Sequence, residues 1–219
     1  MTVMGATRRA TLLSRQEATP YTFFYGGFTI TVERDVFPPD LSATSLLLFD
    51  VLSTYRTKRA LDMGCGTGIL ALQLSRVAES CIAVDRHRPA VLTTRNNLAR
   101  NRISNVAVVA SSLFDALSTK TRFDLIVFNQ PYYPSRQRDT FGIDHTGGWR
   151  LIRRFLKASR LHCGKEGRVV MPFSSFVDPR HNPAAVAASL GMSVREIHNL
   201  RDASGVHHVF EITPGAGSA

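Results

Sequence analysis

No stretch of this 219-residue chain approaches the roughly 18 continuous apolar residues that a membrane-spanning helix needs. The opening segment, "MTVMGATRRATLLSRQEATP", carries arginines but lacks the apolar core of a secretory signal. Because its first acid is Glu17, a transit segment is the alternative reading. Cysteine is scarce: Cys65, Cys81 and Cys163 are an odd number without CxxC spacing, which argues against a disulfide framework and a zinc site. There is no GK[ST] of a triphosphate-binding loop, no internal repeat and no low-complexity tract. These absences leave a protein without membrane association, and the cytoplasm is the expected compartment. Acids are also few. There are 17 against 27 lysines and arginines, a net charge of +10. Such a surface permits an anionic partner such as RNA, DNA or acidic protein, and serves solubility equally well.

What is present is an ordinary globular composition, 44% hydrophobic and 20% charged, with periodicity that divides the chain into three stretches. In residues 1–57 the segment "YTFFYGGFTITVERDVF" predicts an aromatic hairpin, its two strands alternating across Gly26-Gly27. A short helix in "LSATSLLLFDVLSTY" follows its Ser/Thr-rich start. Residues 58–213 repeat strand-then-helix units. "RALDM" turns through "GCGTG" into the helix "ILALQLSRVA", and "CIAVD" leads to the helix "PAVLTTRNNLARN". "NVAVVA" and "FDLIVFN" add two strands, "GGWRLIRRFLKASRL" a helix and "GRVVMPF" a strand. The helix "PAAVAASL" and the strands "SVREIHNL" and "VHHVFEI" complete the core, with 214–219 read as a mobile tail. Short β-branched strands alternating with helices predict an α/β fold whose parallel sheet is covered on both faces. Ligands then belong at the C-terminal ends of the strands.

Two such strand ends carry chemistry. "LDMGCGTGIL" places Asp62 before Gly64, Gly66 and Gly68, a turn in which the backbone can approach a ligand ahead of a helix N-terminus. The next strand ends at Asp85, where a carboxylate can accept hydrogen bonds from ribose hydroxyls. The spacing is GxGxG rather than the GxGxxG of a dinucleotide fold. The strand "FDLIVF" ends in "NQPYYP", a side-chain amide and two prolines where an ordinary loop would suffice.

The acid-x-Gly-x-Gly-x-Gly loop resembles the first motif of class I S-adenosylmethionine (SAM) methyltransferases. "NQPY", Asn129 to Tyr132, resembles the (Asn/Asp)-Pro-Pro-Tyr motif of enzymes that methylate planar amino or amide nitrogens, including the HemK/PrmC protein-glutamine branch. "VFPPDLSATSLLLFDVL" and "HTGGWRLIRRFL" are similar to segments of the same branch, so the likeness covers about residues 22–212. It implies a Rossmann-like class I methyltransferase core with a mostly parallel seven-stranded sheet, the hairpin and helix forming a small N-terminal extension that lids the substrate. It implies SAM as cofactor, held by Asp62, Gly64, Gly66, Gly68 and Asp85, with Thr44, Ser112 and Asn129 contributing, and no metal. The acceptor site would be Asn129, Gln130, Pro131 and Tyr132. Asn129 would offer its side-chain oxygen and Gln130 its backbone carbonyl to the acceptor's N–H bonds, Pro131 would fix the loop, and Tyr132 would stack on the planar group.

The chain departs from that pattern twice. Gln130 stands where the family has Pro, which adds an amide to the substrate pocket. "ASSLFD" puts Ser112 where the family usually has an Asp facing adenine, with Asp115 three residues on. The acceptor therefore stays open between a protein glutamine, a nucleobase amine and a small natural product. A non-catalytic partner subunit of the same fold and a NAD-linked oxidoreductase are the rival readings. Arg150, Arg153, Arg154 and Lys157 form one basic helix face, Arg136 and Arg138 follow the NQPY loop, and Trp149, His207 and His208 read as structural.

Overall fold

The computed structural model describes Ser14, residues 17–131 and residues 148–214. Tyr132, Arg136, Arg138 and the stretch 215–219 lie outside the described residues. A two-stranded hairpin, β1 (Tyr21–Tyr25) and β2 (Phe28–Val32), precedes helix α1 (Ala43–Leu52). Then come β3 (Thr57–Met63), α2 (Ile69–Val77), β4 (Ala78–Asp85), α3 (Arg88–Arg100), β5 (Val106–Ala110) and β6 (Phe123–Phe128). Helix α4 (Gly148–His162), β7 (Cys163–Ser174), α5 (Pro183–Ser189), β8 (Ser193–Asp202) and β9 (Gly205–Thr213) complete the described chain.

The seven-stranded sheet has the order β5-β4-β3-β6-β7-β9-β8. β5 through β7 run parallel, and β9 pairs antiparallel with both β7 and β8. The chain leaves β3 toward one edge and returns beside it as β6, so the strand order reverses between these two. A crevice opens there at the strand C-termini, and both chemical motifs end on it.

Every residue of β6 from Leu125 to Phe128 is buried, because the sheet is covered on both faces. Ile126 and Phe128 pack with Ile152 and Phe155 of α4, while Leu125 and Val127 pack with Leu48 of α1 and Leu72 of α2. The pattern that makes α4 a helix is its apolar set Ile152, Phe155 and Leu156, which share one buried face with Ser159. Truncating Phe155 there would cost about 3–5 kcal/mol.

The hairpin turns through Gly26 and Gly27, both at positive φ, with Tyr25 opposite Phe28. Two asparagines on α3 hold its outer strand. Asn97 accepts from the Thr31 N–H (2.9 Å) and donates to the Thr31 carbonyl (2.8 Å). Asn101 does the same for Thr29, at 3.0 and 2.8 Å. Spaced i, i+4 on one helix face, the two amides meet alternate residues of β2 as a neighbouring strand would. Asn97 also donates to the Thr67 carbonyl (2.9 Å), joining the hairpin to the glycine loop.

Candidate active site

A cavity of about 240 Å³ opens where β3 and β6 diverge, lined from the ends of β3, β4, β5, β6 and β7 and from the N-terminus of α1. Its first half is the glycine loop. The N–H groups of Gly64 and Cys65 both donate to the Val84 carbonyl, at 2.7 and 3.0 Å, which folds the loop back over β4. Gly64 and Gly68 have φ of 73° and 83°, and a Cβ at Gly68 would stand 2.9 Å from the Thr94 methyl. Gly66 differs: its φ is 55°, but a Cβ there would meet nothing within 4 Å. The open space beside Gly66 faces the cavity rather than a neighbour.

Asp85 ties this loop to the next. One carboxylate oxygen accepts from the Gly66 N–H (3.0 Å) and the other from the His87 N–H (2.8 Å). Burial pushes its carboxyl above the ordinary value, and the His87 and Gly66 N–H bonds hold that rise down. Helix α3 takes His87, not Asp85, as its N-cap, so the carboxylate serves the cavity.

Asp62 lies elsewhere than the sequence reading put it. It is fully buried and does not line the cavity. Its β3 position turns the side chain beneath the loop, where the Ala71 N–H, in the first turn of α2, faces it without good hydrogen-bond geometry. Burial, with the charge of Asp85 adding, pushes its carboxyl from 3.8 up to about 7. Gly68 likewise shapes the turn and starts α2 without lining the cavity. Cys65 does line it, but burial holds its thiol far up and so protonated, and Thr94 donates to its sulfur at 3.2 Å.

Thr44 and Ser112 line the cavity as expected, Ser112 after β5, whereas Asp115 does not. The second half belongs to β6 and its neighbours. Asn129 donates its Nδ2 to Ser45 Oγ (2.8 Å), and its buried carbonyl oxygen has no hydrogen-bond partner among the described residues. Ser45 is itself fixed by the N-cap of α1, its N–H donating to Ser42 Oγ. Pro131 lines the cavity beside Asn129. Gln130 also lines it, yet its amide is not free in the pocket: Nε2 donates to the Pro172 carbonyl of β7 at 2.8 Å, and the residue is 2% exposed. The glutamine ties the end of β6 to β7, a cross-strand bond that a proline could not make.

Residues to which the sequence reading gave no site role complete this half. Ser174 and His207 line the cavity from β7 and β9, with Phe176 and Arg154 nearby. His207 was expected to be structural; it stands opposite Ser174 across the β7–β9 ladder. No hairpin residue lines the cavity. The covering contributed from the N-terminal stretch comes from Val36, Phe37 and Pro39, because the α3 asparagines hold the hairpin against the helix. On the basic helix face, Arg154 and Lys157 are exposed, while Arg153 reaches Ser189 of α5 (3.3 Å).

The family model described as "Methyltransferase small domain" matches residues 28–182. The chain belongs to the methyltransferase small domain family. That family's description is of a methyltransferase domain. The Ribosomal RNA small subunit methyltransferase C of Escherichia coli (strain SMS-3-5 / SECEC) is 30% identical over 172 residues, 75% of this chain and 47% of that protein. The chain thus spans about half the length of the curated relatives it matches. Among solved structures, a methyltransferase from Pyrococcus furiosus has a TM-score of 0.67 at 17% identity, covering 98% of this chain and 100% of its own. The T. thermophilus 16S rRNA N2 G1207 methyltransferase in complex with AdoMet and guanosine scores 0.63 at 20% identity, covering 88% and 49%. These two establish the seven-stranded Rossmann-like fold. The site fits the cofactor: the open face of Gly66 and the Asp85 carboxylate provide a cradle that a side chain would fill. SAM, when bound, supplies an electrophilic methyl group on a sulfonium sulfur.

Proposed function

We propose that this methyltransferase transfers its methyl group to the exocyclic amino nitrogen of guanine in RNA, in the cytoplasm. The observation that carries the reading is the Asn129 carbonyl oxygen, buried and unpaired in the same cavity as the glycine loop and Asp85. An exocyclic amine has its lone pair delocalised into the ring and attacks a methyl sulfonium poorly. A fixed oxygen that accepts one of its N–H bonds orients the lone pair and stabilises positive charge as it develops. The donation from Asn129 to Ser45 sets which end of the amide faces the acceptor.

NQPY thereby keeps the chemistry of the (Asn/Asp)-Pro-Pro-Tyr motif although Pro is replaced. The HemK-like likeness, which runs over about residues 22–212, implies a protein glutamine as acceptor, and that amide needs the same N–H acceptor. RNA is preferred because the relatives' names specify ribosomal RNA and because the chain's net charge is +10. Tyr132, next in the motif, would stack on the base.

Incubation of the protein with methyl-labelled SAM and small-subunit ribosomal RNA, followed by digestion to nucleosides, tests this. Label is expected in N2-methylguanosine, and Asn129→Ala should lower it on the order of 10²–10³-fold. Label in protein glutamine and none in RNA would replace the acceptor assignment.

A further inference from the structure

The half of the cavity lined from β6, β7 and β9 holds a hydrogen-bonded chain that cofactor binding does not use. Ser174 Oγ lies 2.7 Å from His207 Nδ1, and both residues are 1% exposed. The other ring nitrogen, Nε2, lies 3.0 Å from an Asp202 carboxylate oxygen and 3.1 Å from Ser204 Oγ. Asp202 closes the β8–β9 hairpin and is 40% exposed, so the chain runs from the cavity to solvent. The Ser204 hydroxyl chiefly, with its N–H and His207 adding, holds the Asp202 carboxyl down at about 2. An ionised carboxylate at Nε2 requires that nitrogen to carry the proton. In the neutral ring Nδ1 is then a lone pair, to which the Ser174 hydroxyl donates.

We propose that Ser174, His207 and Asp202 form a proton relay that takes the proton released by the acceptor amine. The proposal rests on the amine reading of the acceptor given above. As the acceptor nitrogen takes the methyl group, an N–C bond forms, the sulfonium S–C bond breaks, and the bonding pair stays on sulfur as a neutral thioether. The nitrogen, now cationic, gives its N–H proton to Ser174 Oγ, while the Ser174 hydroxyl proton moves to His207 Nδ1. The imidazolium so formed sits beside the Asp202 carboxylate, and its extra proton returns through Ser174 to water once the product has left. Ser174 is the catalytic residue of the three. His207 and Asp202 act through it as positioning residues. Around the imidazole stand Ser174 on β7, Asp202 at the end of β8, Ser204 in the turn and the edge-on ring of Phe176. Among the described residues, Arg154 of α4 also lines the cavity. His208, next along β9, instead turns to Glu196 at 3.1 Å.

The test joins nitrogen NMR of the His207 ring, in the protein saturated with S-adenosylhomocysteine, to pH profiles of methyl transfer to small-subunit ribosomal RNA. Wild type should show the Nε2–H tautomer. His207→Gln and Ser174→Ala should each lower kcat about 10²-fold with KM and S-adenosylhomocysteine affinity within two-fold of wild type. Asp202→Asn, altered at an exposed site that leaves the sheet intact, should lower kcat about ten-fold. An Nδ1–H tautomer, or variants with wild-type rates and pH profile, would overturn the relay. If wild type methylates no guanine at all, the acceptor reading fails, and the ring tautomer decides the relay by itself.

Discussion

The two halves of the cavity are built on opposite terms. At β3 and β4 most polar groups answer one another: loop N–H groups bond to Val84 and both Asp85 oxygens accept from backbone N–H groups, while the Thr67 hydroxyl and the Asp62 carboxyl are left without a partner among the described residues. At β6 and β7 the buried oxygens of Asn129 and Gln130 have no partner among the described residues. A site for one constant ligand can be satisfied in advance. A site that must take hold of a substrate's N–H bonds has to leave acceptors open, and it carries the cost of their burial until the substrate arrives.

Asp62 gives the largest expected departure from this contrast, since its carboxyl is fully buried and both of its oxygens lack a hydrogen-bond partner among the described residues. With its carboxyl raised from 3.8 to about 7, the folded chain holds a proton that the unfolded chain releases, so stability is greatest at low pH and falls as pH climbs between those values. Asp62→Asn should therefore stabilise the apo protein above pH 7, by up to about 4 kcal/mol, and flatten the pH dependence of denaturant midpoints. A variant no more stable than wild type at pH 8 would show that the buried acid is compensated.

Asp85→Ala comes next. It removes the carboxylate proposed to accept from ribose hydroxyls and leaves the Gly66 and His87 N–H groups without their partner, so SAM affinity should fall roughly 10- to 100-fold by calorimetry. The smallest effect belongs to Gln130→Leu. This change frees the Pro172 carbonyl and should cost about 1–3 kcal/mol in stability while leaving SAM affinity within two-fold. A large loss of affinity in the glutamine variant would erase the division between the halves.

The same division explains what could be read from the chain before folding. Strand and helix alternation carried the fold, because buried parallel strands and amphipathic helices write their periods locally. That Gly64, Gly66 and Asp85 would share one strand-end cavity was legible for the same reason: a glycine turn and the acid ending the next strand lie within about 25 residues of one another and obey one geometry. Asp62 belongs to that motif too, but which way a strand side chain turns is decided by the sheet, and it turned under the loop. The acceptor half is assembled from afar. Ser45 meets Asn129 across 84 positions, Gln130 meets Pro172 across 42 and Ser174 meets His207 across 33. No local pattern marks such pairs. Asn97 and Asn101 show a partial signal, two amides at helical spacing on an otherwise amphipathic helix, whose partners only the docked hairpin reveals.

The most direct test of a divided cavity is calorimetric titration of Asn129→Ala with S-adenosylhomocysteine, run beside wild type and followed by labelled transfer on the same samples. Wild-type affinity with transfer lost by two to three orders of magnitude is the predicted result. Affinity that falls together with transfer, or transfer that persists, would contradict the assignment of Asn129 to the acceptor.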